Sequence, residues 1–358
     1  MGPEHTVVCT IGGVYSFGSS SDGLLGRDCE LQDAYDPVPR VITGLADKNV
    51  VGVAAGEDHT VVCTADGCVF TFGHGDSGQL GHGGEEDEAV PRLVLGLGTN
   101  AVGVAAGDEH TVVCTSEGQL YTFGNGLRGK LGHGVHEDEV VPRLVQGLVG
   151  KNVVGVGGGG SHTVVCTADG QLYTFGYGVG GQLGHGGQEP ESVPRLVLGL
   201  VGTKVVGVAA GSTHTVVCTS EGQLYTFGHG DAGRLGHGGE EDELVPRLVE
   251  GLVGTKVVGV AAGSSHTVVC TSDGQLYTFG HGYAGRLGHG GQQVELVPRL
   301  VEGLVGKSVV GVATGNAFHS VVWTDEGEVY SFGKGAKGQL GHGDVNGIRV
   351  PKAICLDT

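Results

Sequence analysis

Short runs of apolar residues alternate along this chain with glycine-rich and acidic stretches. The segment that begins at His214 shows the pattern clearly, with four apolar runs that read HTVVC, QLYTF, PRLV and VVGVAA. Each run is too short for a helix and is rich in the Val, Leu, Tyr and Phe side chains that favour strands. The pattern therefore predicts four β-strands in this segment.

The same pattern occurs seven times in the sequence. Its first run reads HTVVCT or a close variant, and the histidines that open it are 54, 51, 52, 52, 52 and 53 residues apart. These residues are His5, His59, His110, His162, His214, His266 and His319. Self-similarity at this period is typical of solenoids and propellers. We therefore interpret residues 1–358 as one domain built from seven repeats of about 52 residues.

Turn residues and composition predict how the four strands connect. Ser220-Glu221-Gly222 forms a tight hairpin between the first two runs, because glycine supplies the positive φ that such turns need. Pro246 opens the PRLV run, where a missing N–H is tolerated at a sheet edge. Closing seven four-stranded antiparallel sheets into a ring buries their apolar faces. The predicted fold class is all-β, a seven-bladed β-propeller with the small-residue run VVGVAAG innermost.

One blade is expected to be incomplete. Seven HTVVCT runs are present, but only six VVGVAAG runs occur, beginning at Val50, Ala101, Val153, Val205, Val257 and Val309. The first repeat opens just after the place where a seventh such run would stand. We therefore predict three strands in the first blade, with an open edge that lowers stability or recruits a strand. We expect a monomer unless this blade pairs between chains.

The repeated strings resemble the repeat of the regulator of chromosome condensation family. The string GxxHTVVCTxxGQLYTFGxGxxGxLGHG, followed by VPRLV and VVGVAAG, recurs over residues 2–352. Members of that family usually have Trp where this chain has Phe72, Phe123, Phe175, Phe227 and Phe279. The resemblance implies the propeller fold. It leaves function open, since the family includes an exchange factor for the GTPase Ran, a plant ultraviolet-B photoreceptor and interaction domains of ubiquitin ligases.

The sequence discriminates among these functions. A photoreceptor of this type needs a cluster of tryptophans, and this chain has a single tryptophan, Trp323. The exchange factor carries a basic N-terminal tail and a wedge inserted in one blade, whereas here the repeat starts at residue 2 and its spacing is nearly constant. Guanine nucleotide exchange on a small Ran-like GTPase, through a flat face, is kept as the alternative function.

The repeated histidines and cysteines have a structural interpretation. Six further histidines follow Leu-Gly, at His82, His133, His185, His237, His289 and His342. Equivalent residues of successive blades are spread around a ring, so we expect no metal site. Each histidine that opens HTVVCT is expected instead to donate from its ring to the backbone of its own blade.

Cysteine usage favours a cytoplasmic or nuclear protein. Six cysteines recur at one strand position, Cys9, Cys63, Cys114, Cys166, Cys218 and Cys270, and are expected to be buried thiols. Cys29, Cys68 and Cys355 complete an odd total of nine, which does not suit a disulfide framework. No signal peptide precedes the first repeat.

Charge is the strongest functional signal. The chain has 39 acidic and 20 basic residues, a net charge of −19. The first and third loops of an antiparallel blade share one face, so the GxxH loops and the long loops after LGHGG emerge together. The long loops carry Glu85, Glu86, Asp87, Glu88, Glu137, Asp138, Glu139, Glu189, Glu191, Glu240, Glu241, Asp242, Glu243 and Glu295, and the GxxH loops add Glu57, Asp58, Asp108 and Glu109. The opposite face receives Lys48, Lys151, Lys204, Lys256 and Lys307.

These observations favour a protein-interaction scaffold whose acidic face binds a basic protein or peptide segment, such as a histone or a small GTPase. The candidate partner-binding residues are the four GxxH acids and the acids of the second, third and fifth repeats. The alternative is that the acids only keep the protein soluble. Direct nucleic-acid and membrane binding are disfavoured because both need a clustered basic surface. The carboxylates lie in solvated runs, so neither catalysis nor a cofactor is expected.

Overall fold

The computed structural model describes residues 1–27, 34–315 and 318–356. Over these residues the chain forms seven antiparallel sheets, six of four strands and one of three. Sequential strands are neighbours in every sheet, so each blade is a simple meander. The predicted all-β fold of seven blades is confirmed, and we number the blades 1 to 7 in chain order.

The strands of each blade run from the inner to the outer position in sequence order. The inner strands are Val50–Ala55, Ala101–Ala106, Val153–Gly158, Val205–Ala210, Val257–Ala262 and Val309–Thr314. The second strands are His5–Thr10, His59–Thr64, His110–Thr115, His162–Thr167, His214–Thr219, His266–Thr271 and His319–Thr324. The third strands are Gly13–Ser19, Val69–Gly73, Leu120–Gly124, Leu172–Gly176, Leu224–Gly228, Leu276–Gly280 and Val329–Gly333. The outer strands are Tyr35–Val41, Glu88–Leu93, Glu139–Leu144, Glu191–Leu196, Glu243–Leu248, Glu295–Leu300 and Ile348–Ala353.

The connections contain only short helical turns among the described residues. Single 3₁₀ turns lie at Ser21–Gly23, Thr43–Leu45, Leu127–Gly129, Gln146–Leu148, Leu198–Leu200, Asp231–Gly233, Glu250–Leu252, Tyr283–Gly285 and Glu302–Leu304. Within the described ranges, none of these helices has the length and apolar character needed to cross a bilayer.

The outer strands begin earlier than the sequence predicted. In blade 5 the strand starts at Glu243 and not at Pro246, because Glu243 pairs with Gly228 across a bulge in the ladder. Glu88 and Glu139 likewise open the outer strands of blades 2 and 3. Glu191 and Glu295 do the same in blades 4 and 6. The assignment of these five glutamates to loops is therefore wrong. Pro246 keeps its predicted place on an edge strand, where its missing N–H costs no ladder hydrogen bond.

The core lies between adjacent blades. A typical cluster joins Val164, Cys166 and Leu172 of blade 4 to Val217 and Phe227 of blade 5, all of them almost fully buried. The phenylalanine of each third strand packs on the glycine of the LGHG string, or its equivalent, in the preceding blade. This pairing recurs at all seven junctions, with Gly341 of blade 7 against Phe17 of blade 1. The ring of blades is therefore closed by side-chain packing.

The histidines that open the second strands join neighbouring blades. Nε2 of His214 lies 3.0 Å from the hydroxyl of Thr267 in the next blade, and that hydroxyl donates to the Arg234 carbonyl at 2.8 Å. The same contact recurs at all seven junctions and closes the ring between His319 and Thr6 at 2.9 Å. The expectation of a bond to the histidine's own blade is therefore wrong, because the ring projects across the interface and not along its own strand.

Blade 1 has three strands over the described residues, as the count of VVGVAAG runs predicted. The eight described cysteines are free thiols, and Cys63, Cys114, Cys166, Cys218 and Cys270 are buried as expected. Cys9 is only partly buried, because no inner strand of blade 1 covers it in the described structure. Cys29 lies outside the described residues.

Candidate functional site

The GxxH loops and the long loops meet on one face, which we call the loop face. In blade 2, the His74 N–H donates to the Asp58 carbonyl at 2.7 Å, and Nδ1 of His74 lies 2.9 Å from Asp87. These contacts join a GxxH loop to a long loop. Lys204 and Lys256 lie instead beside the hairpin glycines Gly170 and Gly222 at the other ends of the strands. The predicted separation of acidic loops from the repeated lysines therefore agrees with these contacts.

The four predicted GxxH acids come together. The Glu57 N–H donates to the Asp108 carbonyl of the next blade at 3.1 Å, which brings Asp58 and Glu109 into the same group. Burial, with the nearby charges of Asp108, Asp58, Glu109 and Glu4, raises the pKa of Glu57. Burial also raises the pKa of Asp58, against the opposing effect of His74. We call Glu4, Glu57, Asp58, Asp108 and Glu109 the inner acidic group.

One member of the inner acidic group has a buried cation beneath it. Nζ of Lys130 lies 3.4 Å from Glu109, and the Lys130 side chain is 3% exposed while that of Glu109 is 50% exposed. Burial lowers the pKa of Lys130, although the charge of Glu109 opposes the shift. Glu109 is therefore needed to compensate a buried charge as well as being available at the surface.

The aspartates of the long loops hold the loops together. Asp87 accepts from the Gly75 N–H at 2.9 Å, Asp138 from Gly126 at 2.7 Å and Asp242 from Gly230 at 2.9 Å. In each blade this bond joins the two arms of the connection between the third and outer strands. These three carboxylates therefore have a structural role in addition to their charge.

The last glutamate of each acidic run is paired within its own strand. Glu88, Glu139 and Glu243 form ion pairs with Arg92, Arg143 and Arg247, each four residues on. Their side chains are about one-fifth exposed, with the arginines outermost. The pairs neutralise these three carboxylates, so they contribute little to the field of the loop face.

The first acids of each run remain exposed. They are Glu85, Glu86, Glu137, Glu240 and Glu241. Within the described ranges none of them forms an ion pair with a lysine or arginine, although Glu137 accepts from the His136 N–H at 3.1 Å. Glu85, Glu86 and Glu137 therefore belong to the long loops of blades 2 and 3, on the same face as the inner acidic group, while Glu240 and Glu241 belong to blade 5.

A histidine and two aspartates also come close enough to share a cation. One ligand atom each from Asp22, His74 and Asp87 lies within 4.8 Å of the others. Imidazole and carboxylate suit metals such as Zn²⁺ and Mn²⁺. Partial burial disfavours protonation of His74, but hydrogen bonds and charge from Asp76 and Asp87 outweigh burial and raise its pKa. A metal would have to displace this proton, so the group is first of all an ion-paired cluster.

Sequence reasoning missed part of this site. Glu4 occupies the GxxH position of the first repeat, so an alignment of the seven repeats identifies it as a further acid of the GxxH loops. Asp22 lies in blade 1 at a position that varies between repeats, and only the packing of blade 1 on blade 2 brings it to His74.

The loop face is also less uniform than expected. In blades 5 and 6 the buried side chains of Arg234 and Arg286 lie beneath it, with the Arg286 guanidinium 4.2 Å from the centre of the Phe318 ring. These buried cations offset part of the negative charge of the loop face in blades 5 and 6, whereas the inner acidic group lies over blades 1 to 3.

Comparisons with known proteins agree with this architecture. The family described as the RCC1-like domain matches residues 13–357. The chain is 38% identical to the human E3 ubiquitin-protein ligase HERC2 over 348 residues, which cover 96% of this chain and 7% of HERC2. It is 36% identical to the ultraviolet-B receptor UVR8 of Arabidopsis thaliana over 357 residues, covering 99% of this chain and 80% of the receptor. The chain thus corresponds to a small part of the ligase and to most of the receptor.

Solved structures show the same fold. The crystal structure of human WBSCR16 matches with a TM-score of 0.87 at 25% identity, covering 96% of this chain and 94% of that one. Prp20p of Saccharomyces cerevisiae, whose structure is described together with its binding to Gsp1p and histones, matches with a TM-score of 0.84 at 22% identity. That match covers 98% of this chain and 88% of Prp20p.

Proposed function

The chain belongs to the RCC1-like domain family, and we propose that it is a protein-interaction scaffold that binds a basic protein segment on the acidic part of its loop face. The observation that carries the proposal is the inner acidic group, in which two neighbouring blades hold Glu57 and Asp58 against Asp108 and Glu109. Exposed glutamates of the adjacent long loops, Glu85 and Glu86 among them, extend the same negative field.

The electrostatics support a partner and argue against solubility as the whole explanation. Burial and like charges raise the pKa values of Glu57 and Asp58, so their ionised forms cost stability at neutral pH. Charged residues that serve only solubility reduce folding stability less when they are spread apart on exposed positions. A Lys- or Arg-rich segment would relieve this repulsion, and many such contacts together would give a useful affinity.

The family allows several functions, and other features of this chain restrict them. With one tryptophan, Trp323, the chain lacks the residues for a tryptophan-based light sensor despite its similarity to UVR8. Ligase activity is named for HERC2, of which this chain matches 7%, so that activity is not carried over. We propose a binding role without catalysis, for a protein of the cytoplasm or nucleus.

The experiment measures binding of a fluorescent histone-tail peptide by anisotropy. The test variant combines Glu57→Gln, Asp58→Asn, Glu85→Gln and Glu86→Gln, which removes four charges and spares Glu109 above the buried Lys130. We expect about tenfold weaker binding at low salt, because each exposed ion pair contributes about 0–1 kcal/mol. Binding by the unchanged protein should itself weaken steeply between low and physiological ionic strength.

The matched control removes four charges from exposed positions of the opposite face. It combines substitutions to Gln at Glu117, Glu221, Glu250 and Glu302. This variant has the same net charge as the test variant, so it separates a local surface from overall charge. Equal loss of binding in the two variants, or no preference of the unchanged protein for the basic peptide over a neutral one, would contradict the proposal.

A further inference from the structure

Two asparagines of this chain carry the same reactive sequence. Of its six asparagines, Asn125 and Asn346 precede a glycine. The side-chain carbonyl carbon of an asparagine can be attacked by the backbone nitrogen of the following residue, which closes a succinimide ring. Glycine at that following position has no Cβ to hinder the approach. The two pairs therefore share their sequence chemistry, and the structure decides which of them can react.

The pair Asn346-Gly347 lies open to solvent in the long loop of blade 7. Both residues are exposed, and the Gly347 N–H has no hydrogen-bond partner among the described residues. The Asn346 N–H donates to the Asp344 carboxylate at 2.9 Å, and hydrogen bonding by the backbone and the side chain of Asn346 lowers the pKa of Asp344. Asp344 is itself exposed. The reacting nitrogen and the reacting carbonyl carbon therefore belong to exposed residues, and no buried group holds either of them.

The pair Asn125-Gly126 in blade 3 is held in place. The buried Gly126 donates its N–H to Asp138 at 2.7 Å, and a nitrogen bonded to a carboxylate loses its proton less readily. The side-chain oxygen of Asn125 accepts from the Leu127 N–H at 3.0 Å, and the Asn125 N–H donates to the Glu109 carbonyl at 2.9 Å. Both partners of the reaction are thus fixed by hydrogen bonds in this blade.

The loop of blade 7 also lacks a bond that ties the equivalent loop of blade 5. A Cβ at Gly335 would meet the Asn346 carbonyl, as a Cβ at Gly230 would meet the Glu241 carbonyl. Asn346 therefore holds the position of Glu241, and Gly347 that of the aspartate after it, which accepts from the Gly230 N–H at 2.9 Å. Glycine cannot make this bond, and within the described ranges the Gly335 N–H has no partner. The backbone at Asn346 is accordingly freer to rotate into the reactive geometry.

We infer that Asn346 is a modification site, at which the chain converts its own asparagine to aspartate and isoaspartate. The Gly347 nitrogen gives its proton to solvent base and bonds to Cγ of Asn346. The Cγ–Nδ2 bond breaks, and the amide nitrogen takes up protons and leaves as ammonia. Water then opens the ring at either of its two carbonyl carbons, which yields the two acids without any oxidant or reductant.

The modification changes the charge of the loop face. Either product places a carboxylate in blade 7 at the position that Glu86, Glu137 and Glu241 hold in blades 2, 3 and 5. The reaction therefore extends the negative charge of this face into a blade whose long loop carries a single acid, Asp344.

The test follows both asparagines in the folded protein by mass spectrometry of proteolytic peptides. The protein is incubated at neutral and at mildly alkaline pH, and the mass increase that marks deamidation is quantified at each site. We expect Asn346 to react about tenfold faster than Asn125, because hydrogen bonds must open before Asn125 can react. The rate at Asn346 should rise with pH, since the attacking group is the deprotonated amide of Gly347.

Unfolding and one substitution supply the controls. In urea the two sites should react at similar rates, because the hydrogen bonds that protect Asn125 are lost. Gly347→Ala should slow the reaction at Asn346 several-fold, and aspartates at the equivalent positions of blades 2, 3 and 5 show that a side chain fits there. Equal rates at the two sites in the folded protein, an unchanged rate in Gly347→Ala, or an intact Asn346 after the unfolded protein has reacted would each overturn the inference.

Discussion

At the scale of single residues, the histidines that open the second strands show how one side chain connects two blades. The hydroxyl of Thr267 donates to the Arg234 carbonyl, so it must accept from Nε2–H of His214. This fixes the tautomer and leaves Nδ1 as an unprotonated atom, without a hydrogen-bond partner in the described part of the chain. The ring is therefore neutral and acts as a donor across the interface.

The pair can be tested by a double-mutant cycle. His214→Ala should lower the free energy of unfolding by about 1–3 kcal/mol, because the hydroxyl loses its donor in a buried site. Thr267→Val removes the acceptor, and the two substitutions together should cost about 1 kcal/mol less than their sum. Urea denaturation measures the free energy of unfolding of the unchanged protein, the two single variants and the double variant. Strict additivity, or zinc bound to the unchanged protein and lost in His214→Ala, would contradict the structural role.

At the scale of the blade, a glycine after each third strand lets one sheet pack on the next. Gly184 has φ +74°, and a Cβ there would lie 2.8 Å from the Phe227 ring of the following blade. The backbone needs the left-handed conformation to turn, and the phenylalanine needs the space. The fully buried Phe227 then fills the interface between blades 4 and 5.

Gly184→Ala should therefore lower the free energy of unfolding by about 2–4 kcal/mol, through backbone strain and displacement of Phe227. The control is Gly187→Ala in the same loop, where the Cβ position has nothing within 4 Å. That substitution should stay within about 0.5 kcal/mol of the unchanged protein. Thermal and urea denaturation compare the two. Similar stabilities for both variants would show that the contact with Phe227 does not limit blade packing.

At the scale of the whole molecule, seven neutral histidines form a ring of bonds between blades. Burial lowers the pKa of His59 to about 3, that of His162 to about 4 and that of His319 to about 3. Burial lowers the pKa of His5, His110, His214 and His266 well below the ordinary value. Because the unfolded chain binds protons below about pH 6.5 and the folded chain does not, acid favours unfolding.

Stability should accordingly be greatest above about pH 6.5 and fall steadily as the pH drops. Each buried histidine should contribute a loss of about 1 kcal/mol between pH 7 and pH 5.5. The half-buried histidines of the LGHG strings, such as His237, add to the loss because burial lowers the pKa of these groups as well. Urea denaturation across this range measures the slope, and His214→Gln should make it shallower. A flat profile from pH 7 to pH 5 would show that these rings do not titrate on unfolding.

The sequence by itself determined the architecture of this protein. The period and the strand content predicted seven blades, because both depend on local pattern and on burying two apolar faces. The count of VVGVAAG runs predicted the three strands that blade 1 has over the described residues. The sequence also placed Glu57 and Asp108 on one face, since loop order fixes the side on which a connection emerges. In every antiparallel meander, successive connections emerge alternately on the two faces.

Only the tertiary structure decided which side chains meet across blades. Thr267 is 53 residues from His214, and Asp22 is 52 residues from His74, so no local pattern relates either pair. The packing of one blade on the next also separates acids that look equivalent in sequence. Asp242 closes a loop and Glu243 pairs with Arg247, whereas Glu241 stays exposed, because neighbouring positions in a turn and a strand project in different directions.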